Sequence, residues 1–156
     1  MKLKHTLLAA ALIGANAFLF AAPASAADKV CKLEITGNDL MQYDKKELKA
    51  DADCTTIELT LKHIGKLPAA SMGHNWVLAK TADITAVSND GLSAGLPANY
   101  VKAGDKRVIA HTKVVGGGES DTIKIPASAL KKGEDYSYEC TFPGHSALMK
   151  GKFTFG

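Results

Sequence analysis

The amino-acid sequence predicts an all-β fold, an eight-stranded Greek-key sandwich or barrel. Its short segments alternate apolar and polar residues or are rich in β-branched and aromatic residues, and Gly, Pro, Asn and Asp separate them. Many short strands with frequent turns are typical of sandwiches and barrels. The predicted strands span residues 30–36, 47–50, 55–63, 75–79, 107–115, 121–125, 136–141 and 151–155.

Two stretches depart from the strand pattern. Between Lys80 and Lys102 the apolar residues could line one side of a short helix, so we expect a helical flap around residues 80–100. The glycine run at 116–118 lies between two strand-like segments and opens no helix. We interpret it as a hairpin loop and not as a phosphate-binding loop.

The first 26 residues have the pattern of a secretory signal peptide. Lys2 and Lys4 precede an apolar run at 7–22, and an A-x-A motif follows at 24–26. The run is too short and wrongly flanked for a membrane span. No cysteine lies at or just after the cleavage site to accept a lipid. We therefore expect a single soluble domain, residues 27–156, in the oxidising periplasm.

The charge balance gives little support to binding of nucleic acid. The whole chain has 19 Lys and Arg against 16 Asp and Glu, a net charge of +3. Two of those lysines lie in the predicted leader, so the mature chain has a net charge of about +1. It has neither a basic stripe nor an acidic tail.

Three cysteines in an exported protein imply one disulfide and one thiol kept for another purpose. Cys31 and Cys54, in the N-terminal strand-like part of the chain, are the natural pair. Closing a loop of that size would stabilise the fold by roughly 3 kcal/mol. Cys140 is then left free.

The free thiol lies in a cluster of metal donors. Cys140, His145 and Met149 bring a thiolate, an imidazole and a thioether to one loop. Thiolate and thioether suit Cu(I), and a weak axial Met beside a His2Cys plane marks an electron-transfer copper site. The second histidine must come from another strand, and His74 is the best candidate because Gly73 before it permits close approach of the backbone.

Four segments make the mature chain resemble the azurins, a bacterial family of cupredoxins. They are MGHNWVL at 72–78, RVIAHTK at 107–113, CTFPGHSALMKG at 140–151 and GND at 37–39. The resemblance implies a cupredoxin-like sandwich and one type 1 copper. It implies that the equatorial ligands are His74, Cys140 and His145, and that Met149 and the Gly73 carbonyl are weak axial contacts. It also implies that the backbone N–H groups of Asn75 and Phe142 donate to the sulfur.

The resemblance also implies a blue copper electron carrier and not an enzyme. The expected partners are periplasmic redox proteins, namely c-type cytochromes, copper or haem reductases and dehydrogenases, and the carrier is expected to be a monomer. Electrons would leave through His145 by way of a transient apolar docking patch. The residues of that patch are Met41, Leu67, Met72, Leu92, Phe142, Gly144 and Leu148.

Other functions fit parts of the pattern. Cys140 could be an enzyme nucleophile with His145 as its base, although Met149 then has no role. The chain could instead store or deliver copper, or hold a structural zinc. Leu67 and Leu92 could be ordinary core residues.

Three further residues invite a role at the site. His63 could respond to pH or be a hydrogen-bonded structural histidine. We expect His111 to be a surface residue and Trp76 to be a core anchor and not an electron relay.

Overall fold

The computed structural model describes residues 28–156, which form a sandwich of two β-sheets. The strands are β1 (Val30–Asn38), β2 (Gln42–Tyr43), β3 (Glu47–Ala50), β4 (Thr56–His63), β5 (Val77–Lys80), β6 (Ala110–His111), β7 (Ser120–Pro126), β8 (Tyr136–Glu139) and β9 (Lys150–Phe155). One sheet has the order β2-β1-β4-β7 and the other has the order β3-β9-β8-β5-β6. β1 runs parallel to β4, and β3 runs parallel to β9, while the remaining pairs are antiparallel.

The core lies between the sheets and follows the alternation of the strands. Along β4, Ile57, Leu59 and Leu61 face inward and are fully buried. They meet Tyr138 and Phe153 of the opposite sheet in the same apolar cluster. Side chains two apart on a strand share a face, so this alternation fixes the strand register.

Strand β5 is buried on both faces because a helix covers its outer side. Helix α2 (Ile84–Leu92) packs Ile84 and Val87 against Val77 and Ala79, which form a second small core. The helix lies within the predicted flap at 80–100. It is followed by a 3-10 turn, Leu96–Ala98. A shorter helix, α1 (Ala69–Met72), had no counterpart in the sequence prediction.

The predicted all-β sandwich is confirmed, but residues 28–156 contain nine strands, and the predicted strand at 107–115 is mostly wrong. Only Ala110–His111 is a strand there, with an isolated bridge from Val115 to His74. Asp105 accepts the Arg107 N–H, and the Thr112 hydroxyl accepts the Trp76 N–H at 2.9 Å. The Thr112 side chain thus replaces one bond of the regular ladder, while the N–H groups of Ile109 and Thr112 still bond to backbone carbonyls of the neighbouring segment.

Other strand limits shift by a few residues. The predicted strand at 75–79 begins only at Val77, and the one at 136–141 ends at Glu139, because the ligand-bearing residues lie in the loops beyond them. The additional strand, β2, is only two residues long. A pair that short shows no periodicity in sequence.

The glycine run at 116–118 is not a hairpin loop, so that prediction is wrong. It joins β6 in one sheet to β7 in the other. It packs against the segment before α1, where Gly117 N–H bonds to the Leu67 carbonyl. A Cβ at Gly116 would lie 2.6 Å from the Ala69 nitrogen. The glycines therefore allow two loops to touch.

The predicted disulfide is confirmed between Cys31 and Cys54, 23 residues apart. It ties the start of β1 to the turn before β4. The predicted leader, residues 1–26, lies outside the described residues. Among residues 28–156, no helix combines the length and apolarity that a membrane span requires.

We expect the disulfide to stabilise the sandwich without shaping the ligand loops. Replacing both Cys31 and Cys54 by Ala should lower the free energy of unfolding by about 3 kcal/mol, because the unfolded chain regains the entropy of an open loop. Urea unfolding of the metal-free protein measures this. A loss below about 1 kcal/mol, or a changed copper spectrum, would contradict it.

Candidate metal centre

Three buried donor atoms meet at one end of the sandwich. His74 Nδ1 lies 3.2 Å from His145 Nδ1. The Cys140 sulfur lies 3.6 Å from His145 Nδ1 and 4.0 Å from His74 Nδ1. His74 and Cys140 are fully buried and His145 is 3% exposed. The structure therefore brings together the thiol and both imidazoles that the sequence pointed to.

The triangle has the dimensions of a metal site. An ion in the donor plane, about 2.0 Å from nitrogen and 2.3 Å from sulfur, needs edges of about 3.5 Å and 3.8 Å. The two sulfur–nitrogen edges of 3.6 and 4.0 Å bracket the expected value, and the nitrogen–nitrogen edge of 3.2 Å is slightly shorter than expected. Two imidazoles and one thiolate are the donor set of an electron-transfer copper site, although zinc accepts them as well. The residues present fit a copper ion.

His74 is held in one tautomer and orientation. Its backbone pairs with Val115, and its Nε2–H donates to the Asn38 carbonyl at 2.8 Å. That bond leaves the Nδ1 lone pair directed at the other donors. A Cβ at Gly37 would lie 2.7 Å from His74 Cδ2, so the imidazole packs directly on the β1 backbone.

The other donors lie on a closed loop after β8. Cys140 N–H bonds to the Met149 carbonyl at 2.9 Å, which joins the two ends of the loop. Met149 N–H and Leu148 N–H both bond to the His145 carbonyl. Gly144 has φ of 81°, a left-handed conformation that favours glycine. This turn sends the His145 side chain back toward Cys140.

Burial keeps all three donors uncharged without a metal. It raises the pKa of the Cys140 thiol to about 12. Burial also lowers the pKa of His74 to about 4 and lowers the pKa of His145. At neutral pH the centre thus offers two neutral imidazoles and a protonated thiol.

Asn75 connects the two segments that carry the donors. Its side-chain oxygen accepts the Thr141 N–H at 2.9 Å, and its amide donates to Thr141 Oγ1 at 2.8 Å and to the Asn99 carbonyl at 2.7 Å. Thr141 in turn donates to the Tyr100 carbonyl. Three backbone segments therefore meet at one buried carboxamide.

Two backbone donors face the sulfur. The N–H groups of Asn75 and Phe142 lower the pKa of the Cys140 thiol, opposing the larger effect of burial. These are the donors that the sequence resemblance implied. Hydrogen bonds to a ligating sulfur tune the reduction potential of such a centre.

The two expected axial groups lie near the His74 ring. Met149 is fully buried, and its methyl end approaches the same side of Gly37 as the His74 ring. The Gly73 carbonyl faces the His74 ring, where it opposes the lowering of the pKa by burial. Both groups stay predictions as axial ligands.

Sequence reasoning missed several residues that hold the donors in place. Asn38 orients His74, Gly37 makes room for it, Thr141 completes the Asn75 network, and Tyr43 donates to the Asn75 carbonyl. These contacts join residues more than 30 positions apart, so no local spacing reveals them. The GND segment at 37–39 contains both Gly37 and Asn38, but in the sequence it indicates only the family resemblance.

The predicted docking patch is partly exposed. Leu67, Leu92 and Leu148 are 43%, 46% and 53% exposed, so Leu67 and Leu92 are not core residues. Gly144 is exposed, while Met41 and Met72 are half-buried. Phe142 is buried and its ring centroid lies 4.6 Å from that of His145.

The three remaining candidates, His63, His111 and Trp76, are not among the donors of the centre. His63 is buried, stacks on His74 at 4.3 Å, donates to the Met72 carbonyl and accepts the Gly65 N–H, so both ring nitrogens are occupied. His111 is exposed on β6. Trp76 is fully buried against Tyr138, as expected of a core anchor.

A β-sandwich with a buried His2Cys triangle defines the class of copper-binding cupredoxins. The family model of copper-binding proteins of the plastocyanin/azurin family matches residues 29–156. The chain therefore belongs to the plastocyanin/azurin family of copper-binding proteins.

Individual relatives agree with this assignment. An azurin of Bordetella pertussis is 54% identical over 132 residues, which cover 85% of this chain and 87% of the relative. Azurin-1 of Alcaligenes xylosoxydans xylosoxydans is 57% identical over 121 residues, 78% of this chain and 94% of the relative. A solved azurin, Az-iso2 of Methylomonas sp. strain J, is 42% identical, with a TM-score of 0.78 over 81% of this chain and 98% of that one.

The protonation states predict how many protons leave when a metal enters. With the pKa of Cys140 at about 12 and that of His74 at about 4, Zn²⁺ uptake at pH 7 should release about one proton, from the thiol. Affinity should then rise about tenfold per pH unit near neutrality. Calorimetry in buffers of different ionisation enthalpy counts the protons.

The control for the proton count is Cys140→Ser, which should release none. Release of two protons from the wild type would contradict the assignment, because it would mean that an imidazole also starts out charged.

Proposed function

We propose that the protein is an electron carrier and not an enzyme. His74, Cys140 and His145 would hold one copper ion, and Met149 and the Gly73 carbonyl would add weaker contacts to it. The copper supplies the one-electron Cu(I)/Cu(II) couple. The observation that carries the proposal is the buried triangle of one thiol and two neutral imidazoles, whose edges fit a metal.

The frame around the donors suits rapid electron transfer. Cu(I) and Cu(II) prefer different geometries, so a site that rearranges on each transfer has a higher barrier. The Asn38 carbonyl fixes the His74 ring, and Asn75 joins the two donor segments. The donors are therefore held by protein hydrogen bonds, which limits their rearrangement.

The properties of Cys140 argue against a catalytic nucleophile. A reactive thiol is partly exposed and has a lowered pKa. Cys140 is fully buried, and burial raises its pKa to about 12. His145 lies near the sulfur, but its own pKa is lowered by burial, which makes it a weaker base.

A copper store or chaperone is the alternative function. Hand-off of copper requires donors that an acceptor protein can reach, whereas these three are nearly inaccessible. Their attachment to two separate segments also favours retention of the ion over transfer. Slow copper exchange with fast reversible reduction would support the carrier, and the opposite pattern would support the chaperone.

We place the protein in the periplasm. The Cys31–Cys54 disulfide fits an oxidising compartment, and the leader pattern at 1–26 fits export. In that compartment the partners would be c-type cytochromes, copper or haem reductases and dehydrogenases.

Partners would dock on the apolar surface around His145. Leu67, Leu92 and Leu148 have exposed apolar side chains, and we assign them to this surface. Exposed apolar patches mark interaction sites, and small interfaces suit partners that separate after each electron. The short path from His145 through this surface would be the exit for the electron.

A spectrum tests the copper assignment. Adding Cu(II) to the purified protein without residues 1–26 should give an intense blue absorption, because a short copper–thiolate bond has a strong charge-transfer transition. The absorption should disappear on reduction and return on oxidation. The matched control is Cys140→Ser, which should stay colourless. The same spectrum in both proteins would contradict the proposal.

Removing one apolar side chain from the patch should slow transfer only to proteins. We expect Leu148→Gln to lower the second-order rate constant of electron transfer to a c-type cytochrome about tenfold. The reason is that burying a Leu side chain in an interface contributes about 1.5–3 kcal/mol to binding. Stopped-flow reduction by a small inorganic reductant should give the wild-type rate.

The control for the patch is Val30→Gln. Val30 is 49% exposed at the start of β1, the opposite end of the strand from Asn38. Equal rates for the two variants would mean that this patch is not the docking site.

A further inference from the structure

The turn between β1 and β2 holds the first donor segment at two points. Within the turn, Asn38 Oδ1 accepts the N–H groups of Leu40 and Gln42, and Met41 adopts a φ of 56°. The Asn38 carbonyl accepts the His74 Nε2–H at 2.8 Å. The turn thus orients the imidazole, and Tyr43 follows directly after it on β2.

Tyr43 makes the second contact. Its side chain is 4% exposed, and its hydroxyl donates to the backbone carbonyl of Asn75. Asn75 is the residue whose N–H faces the Cys140 sulfur and whose carboxamide bonds to Thr141. A single hydroxyl therefore restrains the residue at the centre of the hydrogen-bond network.

The hydroxyl also lies close to the sulfur itself. Burial raises the pKa of Tyr43 well above its usual value, and the neighbouring Cys140 sulfur raises it further. The hydroxyl donates its hydrogen to the Asn75 carbonyl.

We propose that Tyr43 is a positioning residue, which sets the Cu(I)/Cu(II) balance by holding the Asn75 N–H against the Cys140 sulfur. The inference rests on the proposed function. Hydrogen bonds to the sulfur withdraw electron density from the thiolate and so favour Cu(I) over Cu(II). Loss of the hydroxyl frees the Asn75 carbonyl, weakens the N–H bond to the sulfur and shifts the balance toward Cu(II).

The direct test is Tyr43→Phe. At a fixed ratio of a mediator couple, the Cu(I)-to-Cu(II) ratio of the loaded protein should fall about two- to tenfold, the range expected for one hydrogen bond. A 3-fluorotyrosine at position 43 keeps the ring and is a stronger donor, so the ratio should rise. This second variant also serves if Tyr43→Phe does not fold.

The matched control is Tyr138→Phe. Tyr138 is a fully buried neighbour, 5.8 Å from Tyr43 between ring centroids, and its hydroxyl donates to the Lys45 carbonyl at 2.8 Å. The Tyr138→Phe variant also loses a bond from a tyrosine hydroxyl to a backbone carbonyl, but not one to a residue whose N–H faces the sulfur. The unfolding constant of the metal-free protein should rise about tenfold in both Phe variants, but only Tyr43→Phe should shift the redox ratio.

A readout without metal separates this inference from the proposed function. In the metal-free protein, Tyr43→Phe should speed hydrogen exchange at the Asn75 amide about tenfold more than at the Leu59 amide in β4. Tyr138→Phe should not. The inference is overturned if Asn75 exchange follows Leu59 in both variants, or if the redox ratios of the two variants agree. A wild type that takes up copper without reversible reduction would instead overturn the proposed function.

Discussion

The arrangement of the centre depends on one buried junction, where the Asn75 carboxamide joins three backbone segments. It bonds to both the N–H and the hydroxyl of Thr141 and to the Asn99 carbonyl. Thr141 lies next to Cys140, and Asn75 lies next to His74, so the junction sets the distance between the two donor segments. Buried polar networks of this kind are costly when incomplete, and complete ones make a structure rigid.

The two sheets position the segments that meet at this junction and bury the donors. The segment with His74 leads into β5, and β8 leads into Cys140. These two strands pair directly in one sheet. The β1–β2 turn comes from the other sheet and reaches across to His74 and Asn75. Burial by both sheets keeps the donors neutral and accounts for the high pKa of the Cys140 thiol.

Local sequence patterns predicted much of the fold and part of the site. The alternation in β4 and the spacing from Cys140 to Met149 are local patterns, so both could be predicted. His74 was a candidate because Gly73 precedes it, and the resemblance supported that choice. The prediction of a strand at 107–115 failed because the Thr112 hydroxyl takes the Trp76 N–H out of the ladder. Tyr43 and Asn38 escaped notice because their partners are 32 and 36 residues away.

Hydrogen bonds of the protein, and not the metal, hold the donors in position. High-resolution crystal structures of the metal-free, Cu(I) and Cu(II) forms would test this. We predict that the Nδ1 atoms of His74 and His145 and the Cys140 sulfur keep their relative positions within about 0.5 Å in all three. A metal-free form in which the loop at 140–149 reorganises, or His74 loses its bond to Asn38, would contradict the account.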